Sequence, residues 1–131
     1  MTDKELIELA IDARKKAYAP YSNHKVGAAL VGKSGKIYTG CNVENAAYSP
    51  TNCAERTAIF KAVSEGELEF TAIAIVGGVG DSLSDICAPC GVCRQVMREF
   101  CDDDFIIITG SGEDAMRTMT MNEILPEGFR L

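Results

Sequence analysis

Phe70-Thr71-Ala72-Ile73-Ala74-Ile75-Val76 is apolar at almost every position. A strand with one wet face alternates polar and apolar residues, so an unbroken apolar run reads as a strand covered on both sides. Phe105 to Thr109 has the same character. Between them, Gly91 to Cys101 reads as a helix, begun by Pro89 and its neighbours, and Gly77 to Asp85 reads as a glycine-rich loop. Two buried strands joined through a helix predict a sheet that is partly parallel and flanked by helices.

The reading extends upstream. Val26 to Val31 is a strand of small apolar residues, Gly32-Lys33-Ser34-Gly35 a turn, and Lys36 to Cys41 the return strand of a hairpin. Asn42 to Asn52 is a polar loop. Ala54 to Val63 follows as a helix with apolar positions at Ala58, Ile59, Ala62 and Val63. At the start, Thr2-Asp3-Lys4-Glu5 is a capping box, and Leu6, Ile7, Leu9, Ala10, Ala13 and Ala17 continue at helical spacing until Pro20 forbids more. Downstream, Met116 to Met119 is a short fifth strand. Thr120-Met121-Asn122-Glu123 is a second capping box, and its short helix ends at Pro126.

The predicted order is α-β-β-α-β-α-β-β-α. It implies a three-layer α-β-α domain over residues 1–131, with a mixed five-stranded sheet and helices on both faces.

Length and composition bound the function. A chain of 131 residues supports one compact core. Its apolar runs are far shorter than the roughly 20 residues of a bilayer span, and Met1 to Glu5 does not resemble a secretory signal. A cytoplasmic, reducing location is expected, so the six cysteines read as metal ligands, catalytic thiols or core residues rather than disulfides. Nineteen acidic residues against thirteen basic ones give a net charge of −6, which repels a phosphate backbone and argues against nucleic-acid binding.

The chemistry gathers in two segments, Cys53-Ala54-Glu55 and Pro89-Cys90-Gly91-Val92-Cys93. Each opens a helix, where free N–H groups and the helix dipole favour thiolate. If adjacent parallel strands feed the two helices, Cys53, Cys90 and Cys93 converge on one ion. Three protein ligands leave a fourth position open, as in catalytic zinc sites, and Glu55 is placed to handle a proton there. Cys, then x-Glu, then Pro-Cys-x-x-Cys is the signature of zinc deaminases. Three thiolates on Zn²⁺ leave a formal charge of −1, which Arg56 and Arg94 are placed to offset by donating to the sulfurs. Surface salt bridges are the alternative for both arginines.

The cysteines admit other readings. A redox dithiol at Cys90 and Cys93 shares the CxxC spacing. Cys87-x-x-Cys90-x-x-Cys93 begins like an iron–sulfur run, but Met97 and Arg98 stand where that run requires Cys and Pro. Cys41 and Cys101 read as core thiols at element ends, and Cys87 as a loop thiol.

With Cys53-Ala54-Glu55-Arg56 and Pro89-Cys90-Gly91-Val92-Cys93-Arg94-Gln95 together, the chain resembles cytidine deaminases of the small, homotetrameric bacterial type. Tyr18-Ala19-Pro20-Tyr21-Ser22, Val26-Gly27-Ala28-Ala29-Leu30 and Gly40-Cys41-Asn42-Val43-Glu44-Asn45-Ala46-Ala47-Tyr48 extend the resemblance from Tyr18 to Pro126.

The resemblance implies one Zn²⁺ per subunit on Cys53, Cys90 and Cys93, with Glu55 as proton shuttle. Asn42 and Glu44 would hold the ribose hydroxyls. The Ala54 N–H and the Ala88 carbonyl would read the base edge. The loop from Asn45 to Tyr48, including Ala46, would approach neighbouring subunits' sites, and Phe129 would pack over the base from another subunit. Gln95 would be structural. His24 stands where the family usually has Phe. The implied reaction is hydrolysis of cytidine and deoxycytidine to uridine and deoxyuridine plus ammonia, in pyrimidine salvage. A deaminase of another aminated nucleoside and a non-catalytic zinc-stabilised nucleoside-binding protein are the alternatives.

Overall fold

The computed structural model describes residues 1–84, 86–112 and 115–131. Its elements follow the predicted order: α1 (Asp3–Arg14), β1 (His24–Gly32), β2 (Ile37–Cys41), α2 (Ala54–Ser64), β3 (Phe70–Val79), α3 (Gly91–Phe100), β4 (Ile106–Gly112), β5 (Ala115–Thr120) and α4 (Met121–Ile124). The five strands form one sheet in the order β2-β1-β3-β4-β5, in which only β3 and β4 pair parallel.

Strand periodicity divides the core. Ala28, Leu30, Ile73, Ile75 and Ile107 face α2, α3 and α4, together with Ile59 and Met97. Their chain neighbours Ala29, Ala74, Val76 and Ile108 face Leu6, Ile7 and Ala10 of α1. This is why the central strands lack polar positions: both faces are covered.

Two glycines set how closely the layers approach. A Cβ on Gly27 would collide with the Ala10 carbonyl oxygen of α1. A Cβ on Gly40 would lie 2.6 Å from the Ala58 nitrogen and 2.7 Å from the Ala54 oxygen, so the first turns of α2 rest directly on the end of β2.

Most bounds shift by only a residue or two, and three of the differences have a clear physical reason. Residues 77–79 belong to β3 rather than to a loop, because β1 starts at His24 and pairs out to Val79. Gly77 and Gly78 mark close approach: the Cβ of Gly77 would lie 2.6 Å from Cys87 Sγ, and that of Gly78 would collide with the Ser82 carbonyl. Helix α1 stops at Arg14, well before Pro20, because Tyr18 leaves to bond Asn42 and Glu44 through its main chain. The strand expected from Phe105 starts at Ile106, and Phe105 itself lies in the core. Part of the predicted 77–85 loop, residue 85, lies outside the described residues.

The strands feeding α2 and α3 run the same way but are not adjacent, because β1 lies between β2 and β3. The expected adjacency is therefore replaced by a one-strand gap. Two strand spacings come to about 9–10 Å, which matches the 8–10 Å between axes of packed helices. The gap gives the two helices room to pack side by side.

Candidate metal and active site

Cys53 is the N-cap of α2 and Cys90 the N-cap of α3. Side-by-side packing brings these helix starts together. The Sγ atoms of Cys53, Cys90 and Cys93 lie within 4.8 Å of one another, and Cys53 and Cys90 are 3.8 Å apart. Cys93 is buried on the first turn of α3, and its main-chain N–H points at Cys90 Sγ at 3.5 Å.

Three sulfurs fit a soft, four-coordinate cation such as Zn²⁺. Their electrostatics point the same way. A hydrogen bond from Cys93, with help from Arg56 and Cys90 against the cost of burial, lowers the Cys53 thiol to about 5. Cys93 moves the opposite way because it donates to Cys53 and is buried.

Arg56 donates to Cys53 Sγ at 3.4 Å, as expected. Arg94 does not reach a sulfur. Its guanidinium binds the Pro89 and Ile124 carbonyls at 2.8 Å each, tying the ligand segment to α4. Among the described residues it joins neither the sulfurs nor a surface salt bridge, because these two carbonyls engage its guanidinium.

Glu55 is 4% exposed. Burial pushes its carboxyl up to about 7, and the Cys53 thiolate adds to the shift. A carboxyl poised there accepts and releases protons near neutrality.

A cleft of about 190 Å³ opens above these groups, lined by His24, Val26, Asn42, Glu44, Cys53 and Glu55 among others. Cys87, Ala88 and Cys90 form its opposite wall. Asn42 is buried. Its Oδ1 accepts from the Val26 N–H and its Nδ2 donates to the His24 carbonyl, both at 2.8 Å. One lone pair and one N–H remain for another partner. Glu44 accepts from the Tyr21 and Ser22 main-chain N–H groups at 3.0 and 3.1 Å, and from the Ser22 hydroxyl. The Ser22 hydroxyl bond leads in holding the Glu44 carboxyl below its ordinary value. Ser22 lies 22 residues from Glu44, and no local pattern links the two.

Other predicted residues fall elsewhere. Ala54 is fully buried beneath the cleft. Tyr48 lines a neighbouring hollow with Tyr21, Ser22, Glu44 and Thr51, and its ring stands edge-on to Tyr21 at 6.3 Å. Tyr48 has φ +63°, a costly conformation for a bulky residue. Ala46 is exposed in the same loop. Phe129 is 67% exposed on the C-terminal tail, where its carbonyl accepts from Gln95 Nε2 at 3.1 Å. Cys101 is buried at the end of α3 as expected, whereas Cys41, at the end of β2, is only half-buried. Among the described residues, no helix is long and apolar enough to cross a membrane.

Three sulfurs gathered beside a buried carboxyl, at one end of a mixed sheet, make a candidate zinc site of the kind an α/β metalloenzyme carries. Comparison with known proteins narrows that class. The sequence profile of the cytidine and deoxycytidylate deaminase zinc-binding region matches residues 1–109. Cytidine deaminases from Halalkalibacterium halodurans and Sporosarcina psychrophila are each 46% identical over 129 residues, covering 98% of this chain and 95% and 92% of theirs. The crystal structure of a cytidine deaminase from Burkholderia pseudomallei is 48% identical, with a TM-score of 0.90, covering 98% of this chain and 100% of that one. The chain belongs to the cytidine and deoxycytidylate deaminase family.

Proposed function

We propose that the chain hydrolyses the exocyclic amine of cytidine and deoxycytidine, releasing ammonia and leaving uridine or deoxyuridine. The observation that carries this reading is Glu55: a carboxyl buried next to three sulfurs, facing an open cleft, and shifted to about 7. A purely structural zinc site has no use for such a group.

Cys53, Cys90 and Cys93 would hold Zn²⁺, which when bound supplies Lewis acidity for water activation at C4 of the pyrimidine. Glu55 takes one proton of the attacking water and passes it to N3, then takes the remaining proton from the new C4 hydroxyl and gives it to the departing amine, which leaves as ammonia as the C4 carbonyl forms. Its burial matters because a carboxyl of ordinary acidity would be too weak a base to take the water's proton near neutrality. Arg56 offsets negative charge on the sulfurs through Cys53.

Substrate would lie between the two walls of the cleft. The Ala54 N–H and the Ala88 carbonyl meet the base edge, and His24 lies along the ring. Glu44 stays ionised and accepts from ribose hydroxyls, while Asn42 offers its remaining donor and acceptor. A carboxylate there disfavours a phosphorylated substrate, which supports a free nucleoside.

Exposure of Ala46, Tyr48 and Phe129 away from their own cleft supports a homotetramer in which neighbouring copies complete each site. The thiolates call for a reducing compartment, consistent with a cytoplasmic enzyme of pyrimidine salvage. The test is ammonia release across a panel of cytidine, deoxycytidine, cytosine, CMP and adenosine, with zinc measured on the same sample. Bound zinc with no turnover of cytidine or deoxycytidine would overturn the proposal.

A further inference from the structure

Arg14 ends α1 on the sheet face opposite the cysteines, yet its side chain is buried, with the residue 8% exposed. Its Nε donates to the Lys25 carbonyl at 2.8 Å. One terminal nitrogen donates to the carbonyls of Gly78, Gly80 and Ser82 at 2.8, 2.6 and 2.8 Å. Four main-chain oxygens thus converge on one guanidinium. Carbonyl oxygens brought this close repel one another unless a cation lies between them, and Arg carries its charge at any relevant pH.

The geometry points to Arg14 as a positioning residue that sets the width of the cleft from behind, an inference resting on the deaminase reading above. Lys25 lies between His24 and Val26, which form one wall, and Asn42 bonds the main chain of both. Gly78 faces Lys25 in the sheet register. Beyond Gly78 the chain turns back, and Ser84 N–H bonds the Gly77 carbonyl at 2.8 Å. Cys87 then seats its sulfur 2.6 Å from where a Gly77 Cβ would lie, and Cys87, Ala88 and Cys90 form the opposite wall. Arg14 therefore joins the roots of both walls while touching neither substrate nor ligand sulfurs.

Two glycines make room for the clamp. Gly27 lets the last turn of α1 press on β1, since a Cβ there would lie 2.5 Å from the Arg14 nitrogen. Gly78 leaves space for the Ser82 carbonyl to reach the guanidinium. Lysine would keep the charge but present one nitrogen instead of a fork, so it cannot serve Lys25 and the 78–82 turn together.

The test compares zinc-loaded wild type, Arg14→Ala and Arg14→Lys, assayed well below the melting temperature of each. In Arg14→Ala, KM for cytidine should rise roughly 10–100-fold, the scale expected for a small misplacement remote from the chemistry. Zinc should stay at one per chain, and kcat should fall less than KM rises. Amide exchange over residues 77–90 should quicken relative to residues 72–76. Methylguanidinium at tens of millimolar should restore part of the KM, and methylammonium should not. Arg14→Lys should fall between.

A folded Arg14→Ala with wild-type KM overturns the inference. If that variant does not fold, Arg14→Lys with wild-type KM and wild-type exchange over 77–90 overturns it instead. Failure of the wild type itself to deaminate cytidine would count against the deaminase reading, while the exchange arm would still decide the clamp.

Discussion

Gly40→Ala should damage the active site without altering any residue in it. The added methyl would lie 2.6 Å from the Ala58 nitrogen and 2.7 Å from the Ala54 oxygen, where ordinary contact begins near 3.4 Å. Both obstacles are main-chain atoms of α2, so no side chain can swing aside. Helix α2 must back away by roughly 0.7 Å, an overpacking strain worth about 1–3 kcal/mol. For a chain of this size, each kcal/mol lowers the melting temperature by about 4 °C. The same displacement carries Cys53 and Glu55, which begin that helix, away from Cys90 and Cys93. Misplacement approaching 1 Å can cost up to about 100-fold in rate. Calorimetry at fixed protein concentration, zinc content and kcat/KM for cytidine would be measured on the same preparation. A variant with a lowered melting temperature but unchanged kcat/KM would refute the coupling between the seat of α2 and the site. Unchanged values of both would refute the seating itself.

Glu55→Gln keeps the shape of the side chain but not its proton traffic, and kcat should fall by at least about 10²–10⁴ while zinc stays bound. Near-normal turnover in single-turnover assays would reject Glu55 as the shuttle. Dialysis against a strong chelator should abolish ammonia release, and added Zn²⁺ should restore it; Cys90→Ser should lower zinc occupancy by metal analysis in the same series. Ser22→Ala removes the leading partner of Glu44, so KM should rise several-fold for ribonucleosides with little change in kcat. His24→Phe keeps a flat ring at the rim of the cleft and should leave kcat within a few-fold of wild type, as read from steady-state kinetics.

The order of elements was legible because buried strands and amphipathic helices leave different periodicities. The convergence of Cys53, Cys90 and Cys93 followed from helix starts, but the route did not: β1 separates the strands that feed them, and strand order depends on pairing between distant segments. Gly77 and Gly78 misled because glycine carries two messages, a turn or a close neighbour, and the neighbours Cys87 and Ser82 lie further along the chain. Arg94 is adjacent to a ligand in sequence, yet its target carbonyls are set by the packing of α3 on α4. Nothing in the sequence around Arg14 marks it as buried. Its acceptors are carbonyls, which every residue carries, so no residue type announces them.

Helices usually begin with Ser, Thr, Asp or Asn, whose oxygen ties down the first free amides. Helix α2 begins with Cys53, which makes no such bond. Its opening turn, bearing Ala54 and Glu55, is fastened instead by Thr57 at the Cys53 carbonyl and by Arg56 at the sulfur, so whatever clasps that sulfur also bears on the turn that presents the acid. A cation held at that sulfur would brace the same turn that carries the acid, so metal binding would add to the stability of the helix start as well as to the chemistry.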